Sequence, residues 1–352
     1  MSYTYCKPMV EVTRGELVES IHFGALSITD SSGRLLASVG DVNEVLYLRS
    51  ASKPFQTIPL VEMGGVEEFG LTAKELAITC ASHKGTDDHV ATLMSMQQKI
   101  GITVENLQCG VHPAGDQATY DAMVLRGEQP NAYRHNCSGK HTGMLGQIKL
   151  QGFPLDNYVN QDHPVQQRIL RTFAEMAGIP AADVVLGIDG CSVPVFGVPL
   201  WRAAYAYARL CDPKELEAPR AAACQKITSA MMEFPEMVCG PSHCLDTSIM
   251  KACKGKVIAK GGADGYQSIG IMPGARFAGS QGIGITYKIT DGDDASSRAR
   301  GAIAVKILSQ MGLLDDEGIS VMSEFAERPI YNVRNFQVGE IRCCFDLELT
   351  EG

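Results

Sequence analysis

The chain has 352 residues, long enough to bury a substantial core, and its 45% apolar and 20% charged content excludes a disordered or low-complexity protein. A net charge of -9 without any lysine or arginine block excludes a nucleic-acid surface or an anionic-membrane footprint and favours a small polar substrate. No apolar run reaches the roughly 20 residues of a membrane span. The opening M-S-Y-T-Y-C-K-P lacks the basic and then apolar pattern of a signal peptide, so the expected location is the cytoplasm. There the 12 cysteines are expected as reduced thiols or metal ligands rather than disulfides.

The first segment carries strand patterns in M-V-E-V-T-R, S-I-H-F-G-A-L-S-I-T and L-L-A-S-V, the last two joined by the turn D-S-S-G-R, as in antiparallel hairpins. From Ala51 to about Ala252 the signals turn helical. Amphipathic examples are H-V-A-T-L-M-S-M-Q-Q-K-I and P-V-Q-Q-R-I-L-R-T-F-A-E-M-A-G, the second closed by Gly178. Strands return from about Lys256 in K-V-I-A-K, Y-Q-S-I-G-I-M and G-I-G-I-T-Y-K-I. The helix S-S-R-A-R-G-A-I-A-V-K-I-L and a final strand I-R-C-C-F-D-L-E-L follow. The expected fold is α/β of the α+β type, one catalytic domain over residues 1–352. A mainly antiparallel sheet would come from about 1–50 and 256–352, with covering helices and a helical lobe from about 51–252. There is no internal repeat.

Three segments combine serine and lysine. In L-R-S-A-S-K-P-F-Q, Ser50 lies three residues before Lys53, one helical turn along the same face, which suits a serine nucleophile and a lysine base. A helix N-terminus and a neighbouring cation would both disfavour the charged form of such a lysine. The plainer reading of Ser50 is a helix N-cap. In T-C-A-S-H-K-G, Ser82 can pass protons or simply shape a polar turn. In V-I-A-K-G-G-A-D-G, Lys260 ends a short strand, and Gly261 and Gly262 leave room for close backbone approach. This order resembles that of penicillin-recognising serine enzymes, from which Lys84 and Gly261 depart.

Two more segments hold candidate ligands. H-N-C-S-G-K-H-T-G-M contains Cys137, Lys140 and His141, and G-I-D-G-C-S-V-P contains Asp189 and Cys191. The cysteines read either as buried structural thiols or as zinc ligands completed by one nitrogen donor and an open position. His141 is the conventional nitrogen, and Lys140 can serve only when neutral.

Together R-S-A-S-K-P-F-Q, C-A-S-H-K-G, H-N-C-S-G-K-H-T-G-M, G-I-D-G-C-S-V-P and A-K-G-G-A-D-G resemble the Rhizobium etli-type L-asparaginases, the asparaginase II family, over nearly the whole chain. The resemblance implies a serine β-lactamase-like fold and hydrolysis of the side-chain amide of L-asparagine. It implies Ser50 as nucleophile, Lys53 as base, Ser82 and Lys260 completing the serine-lysine network, and zinc on Cys137, Lys140 and Cys191. Arg49, His141, Asp189 and Asp246 would line the substrate site, with Asp246 facing the substrate ammonium. A homodimer is expected by base rate. The rival readings are a glutaminase, another serine amidohydrolase or peptidase of the same fold, and a non-catalytic zinc- or amino-acid-binding protein.

Overall fold

The computed structural model describes residues 5–292 and 298–350. Its contacts cluster into two compact units. One comprises residues 1–51, 198–212 and 248–352, and the other residues 52–197 and 213–247.

The first unit is built on an antiparallel sheet of 8 strands. In spatial order these are Arg328–Tyr331, Gln337–Cys343, Lys7–Arg14, Leu17–Asp30, Ile283–Ile289, Tyr266–Ile271 and Val257–Gly262, with Leu35–Val39 also paired to Leu17–Asp30. Strands from both ends of the sequence therefore interleave, as the patterns suggested. The strand Tyr266–Ile271 is buried at every position, as a strand covered on both faces must be. One cover is the helix Leu200–Cys211, which approaches so closely that a Cβ on Gly284 would lie 1.8 Å from the Ala204 carbonyl oxygen. A second helix, Ala299–Gln310, packs against Lys7–Arg14 and Gln337–Cys343. Ser296 and Ser297, which open the helical pattern read from the sequence, lie outside the described residues.

Two local readings are corrected. The last strand ends at Cys343 rather than running on through F-D-L-E-L, and its register would set Phe345 opposite Pro8, which has no N–H to donate. The short strand Arg328–Tyr331 carried no signal read from the sequence.

The second unit is mainly helical. Its centre is the helix Lys53–Glu62, in which every residue from Lys53 to Val61 is buried. Around it pack Ser138–Gln151, Pro164–Ala177 and Ala218–Glu233. The helix Pro164–Ala177 ends at Gly178, whose φ of +66° closes it in the left-handed conformation that glycine adopts without strain. The helix Ser138–Gln151 comes against Ala73–Thr79 through Gly139, where a Cβ would sit 2.0 Å from the Ile78 carbonyl oxygen. Among the described residues no helix is long and apolar enough to cross a membrane. One disulfide, Cys239–Cys244, departs from the expectation of reduced thiols throughout, and the other ten cysteines carry thiols. A loop closed over five positions lets two thiols meet with little chain entropy to lose.

Candidate active site

The sequence-derived residues gather in two clusters, one in each unit. In the sheet unit, the chain enters a short 3-10 turn, Arg49–Ser52, with Arg49 at φ +52°, an uncommon conformation for a residue with a side chain. Ser50, half-buried, follows at once. The Arg49 guanidinium pairs with Asp264, which lies in the turn joining Val257–Gly262 to Tyr266–Ile271. Gly262 shows why this strand must end in glycine: a Cβ there would lie 2.3 Å from the Leu48 carbonyl oxygen. The end of the Lys260 strand is thus pressed against the backbone two residues before Ser50. Lys260 itself is buried, and its Nζ donates to the Gly261 carbonyl at 2.6 Å. The turn is anchored further by Tyr207, whose hydroxyl donates to the Ala51 carbonyl at 2.6 Å.

In the helical unit, Lys53 opens the buried central helix, and its Nζ donates to Ser82 Oγ at 2.8 Å and to the Ala81 carbonyl at 2.6 Å. Ser82 sits just beyond the helix Ala73–Thr79. Its N–H donates to the Val238 carbonyl at 2.9 Å, and the Lys84 N–H donates to Cys239 at 2.7 Å, so two backbone bonds hold the serine segment in place. The Lys84 ammonium donates to the carbonyls of Ser242 and His243 at 3.0 and 2.9 Å, inside the disulfide-closed loop.

The helix Ser138–Gln151 begins at Cys137 and carries Lys140 and His141 in its first turn, all three buried. Lys140 Nζ donates to Cys191 Sγ at 2.8 Å. The hydrogen bond with Cys191 holds the Cys137 thiol well below its ordinary range; burial opposes this, and the charges of Lys53 and Lys140 reinforce it. Burial alone would lower the Lys140 ammonium, but the sulfurs of Cys191 and Cys137 outweigh it and raise the group. Both shifts run toward the charged forms, thiolate for Cys137 and ammonium for Lys140. Asp189, on the loop before Cys191, adds its charge to Lys140, and its carboxylate accepts the Gly190 N–H at 2.9 Å. Ser192, at φ +73°, turns the loop so that Cys191 points inward.

His141 is pushed down to about 4 by burial, with Cys191 as the largest opposing influence. Its Nδ1 lies 2.7 Å from the Tyr158 hydroxyl. Sequence reasoning missed Tyr158, and also Cys109, whose thiol is pushed up to about 12 by burial and by the adjacent charges of Cys137 and Cys191. It missed His135 as well, whose Nδ1 accepts the Cys137 N–H at 3.0 Å. Of these partner residues, Asp264 and His135 lay inside segments already singled out, while Tyr158 and Cys109 did not. Asp246 is buried in the first turn of Leu245–Ala252, beside Thr247, whose hydroxyl donates to the Gly240 carbonyl at 2.8 Å.

Among the described residues, no three His, Cys, Asp or Glu side chains group as a metal site. The set Cys137, Cys191 and Lys140 nevertheless fits a thiophilic cation: two sulfurs and an amine converge in a buried cluster, with one thiol already biased toward thiolate.

The chain belongs to the L-asparaginase II family, whose model it matches over residues 10–343, and it is by that membership a hydrolase acting on amides. No curated protein sequence is significantly similar to it. Among solved structures it is similar to Mglu in its glutamate form, at 13% identity and a TM-score of 0.46, covering 83% of this chain and 61% of that one. It is also similar to a probable glutaminase of Bacillus subtilis, at 13% identity and a TM-score of 0.39, covering 83% and 89%. A third is the covalent complex of a Bacillus subtilis glutaminase with 5-oxo-L-norleucine, at 12% identity, a TM-score of 0.39 and coverage of 83% and 88%.

Proposed function

We propose that the protein is a cytoplasmic, homodimeric L-asparaginase of the Rhizobium etli type, releasing ammonia from the side-chain amide of L-asparagine through an ester on Ser50. The observation that supports this most is the buried Lys53–Ser82 hydrogen bond of 2.8 Å, a proton path laid on the lysine three residues after Ser50.

In this reading Lys53 takes the Ser50 proton as Oγ attacks the amide carbon. The C–N bond breaks, and the proton returns through Ser82 to the nitrogen, which leaves as ammonia. Water then attacks the β-aspartyl ester, gives its proton to the same lysine, and frees aspartate and Ser50. Lys260 adds positive charge to the reaction centre. The Ser50 N–H stabilises the developing oxyanion, a contribution on the order of 3 kcal/mol for one well-placed donor. Arg49, His141, Asp189 and Asp246 hold the substrate, with Asp246 receiving its ammonium group.

Cys137, Lys140 and Cys191 would hold zinc, with Lys140 binding as the neutral amine. Bound there, the ion supplies Lewis-acid charge for orienting substrate.

The test is ammonia release from asparagine, with glutamine in parallel, for the parent and Ser50→Ala. The expected result is turnover of asparagine that Ser50→Ala abolishes. A variant as fast as the parent overturns the serine reading. Preference for glutamine would move the assignment to a glutaminase, since one methylene is worth only about 1–3 kcal/mol in a binding pocket.

A further inference from the structure

The hydrogen-bond pattern around Tyr158 fixes which nitrogen of His141 carries the proton. Tyr158 stands in the loop between Ser138–Gln151 and Pro164–Ala177, fully buried, with Asn157 before it at φ +55° and its carbonyl accepting from Gln166 Nε2 at 2.8 Å. Its hydroxyl oxygen accepts the Gln108 backbone N–H at 2.9 Å. The hydroxyl has one hydrogen to give, and His141 Nδ1 at 2.7 Å is the acceptor it meets. An amide can only donate, so the direction of the chain is set from Gln108 through Tyr158 to Nδ1. Nδ1 must then offer its lone pair, and the ring hydrogen must sit on Nε2.

We propose that Tyr158 is a positioning residue that locks His141 in the Nε2–H tautomer, so that Nε2 carries a hydrogen and offers no lone pair to a metal held by the neighbouring Cys137, Lys140 and Cys191. Nε2 is buried, and among the described residues it has no hydrogen-bond partner.

This inference rests on the proposed zinc reading only in its metal arm. The deciding experiment is ¹⁵N–¹H correlation of the histidine side chains in the intact, metal-free protein without substrate, with the His141 signals assigned by their absence in His141→Gln. Failure of the asparaginase reading would leave these spectra unchanged. The expected pattern is a protonated Nε2 and a non-protonated, hydrogen-bonded Nδ1; a protonated Nδ1 overturns the proposal. Tyr158→Phe removes the donor and is expected to reduce the tautomer bias about tenfold, the worth of one good hydrogen bond. An unchanged single tautomer in that variant would show that Tyr158 holds no lock. In the parent with saturating zinc the Nε2 proton is expected to persist, and its loss would make His141 a ligand.

Discussion

Gly139 sits between Cys137 and Lys140, and its replacement by alanine separates a packing role from mere helix flexibility. The added Cβ would lie 2.0 Å from the Ile78 carbonyl oxygen and 2.8 Å from its carbon, both backbone atoms. That carbonyl also accepts the Ala81 N–H at 3.1 Å, one residue before Ser82, so it cannot retreat without disturbing the serine segment. Overpacking of this kind costs about 3 kcal/mol, while Gly→Ala inside a helix recovers about 1 kcal/mol of propensity. The net expectation for Gly139→Ala is a loss of about 2 kcal/mol, or about thirty-fold in the folded-to-unfolded ratio. Gly143, one turn further along the same helix, is the internal control. The nearest atoms a Cβ there meets are side-chain atoms, Thr79 at 3.3 Å and Leu60 at 3.9 Å, which can give way, so Gly143→Ala is expected to be near neutral. Urea unfolding of both variants followed by circular dichroism measures the difference. Equal effects at the two positions would refute the close-approach argument, and reduced activity is expected to accompany only Gly139→Ala.

Acid sensitivity should trace in part to His89, which burial lowers from an ordinary 6.5 to about 4 while its Nε2–H donates to the Glu236 carbonyl. With the folded value below the unfolded one, its contribution is intact above pH 6.5 and is lost as pH falls toward 4, because the unfolded chain takes up a proton that the folded one refuses. The 2.5-unit difference corresponds to about 3 kcal/mol. His89→Gln is expected to flatten the stability profile in that window, and a slope equal to the parent's would count against it. Reducing Cys239–Cys244 should cost about 2 kcal/mol, as chain entropy gives for a loop this short. Unfolding curves with and without dithiothreitol, alongside alkylation of the two thiols, read that loss. Complete reduction with an unmoved midpoint would contradict it.

Much of this was legible in the sequence because it is written in local periods. The alternation of S-I-H-F-G-A-L-S-I-T and the helical spacing of P-V-Q-Q-R-I-L-R-T-F-A-E-M-A-G appear as Leu17–Asp30 and Pro164–Ala177. The strand end at Cys343 was not, since F-D-L-E-L alternates as well as any strand and only its neighbour's Pro8 marks the limit. Lys140 and Cys191 were both singled out, but their contact spans 51 positions and has no spacing rule. Arg49 and Asp264 are 215 positions apart and meet because one lies on a strained turn and the other on a hairpin. Tyr158 and Cys109 had no signal at all: a loop tyrosine and a loop cysteine acquire meaning only when helix packing brings His141 and Cys137 to them.

The most direct test of the catalytic reading is mass spectrometry of the protein acid-quenched during turnover of L-asparagine. The expected result is a β-aspartyl ester on the peptide carrying Ser50, less abundant in Ser82→Ala because that serine carries the proton to the leaving nitrogen, and absent in Ser50→Ala. An unmodified Ser50 peptide under full turnover, with ammonia release surviving in Ser50→Ala, would contradict the central claim.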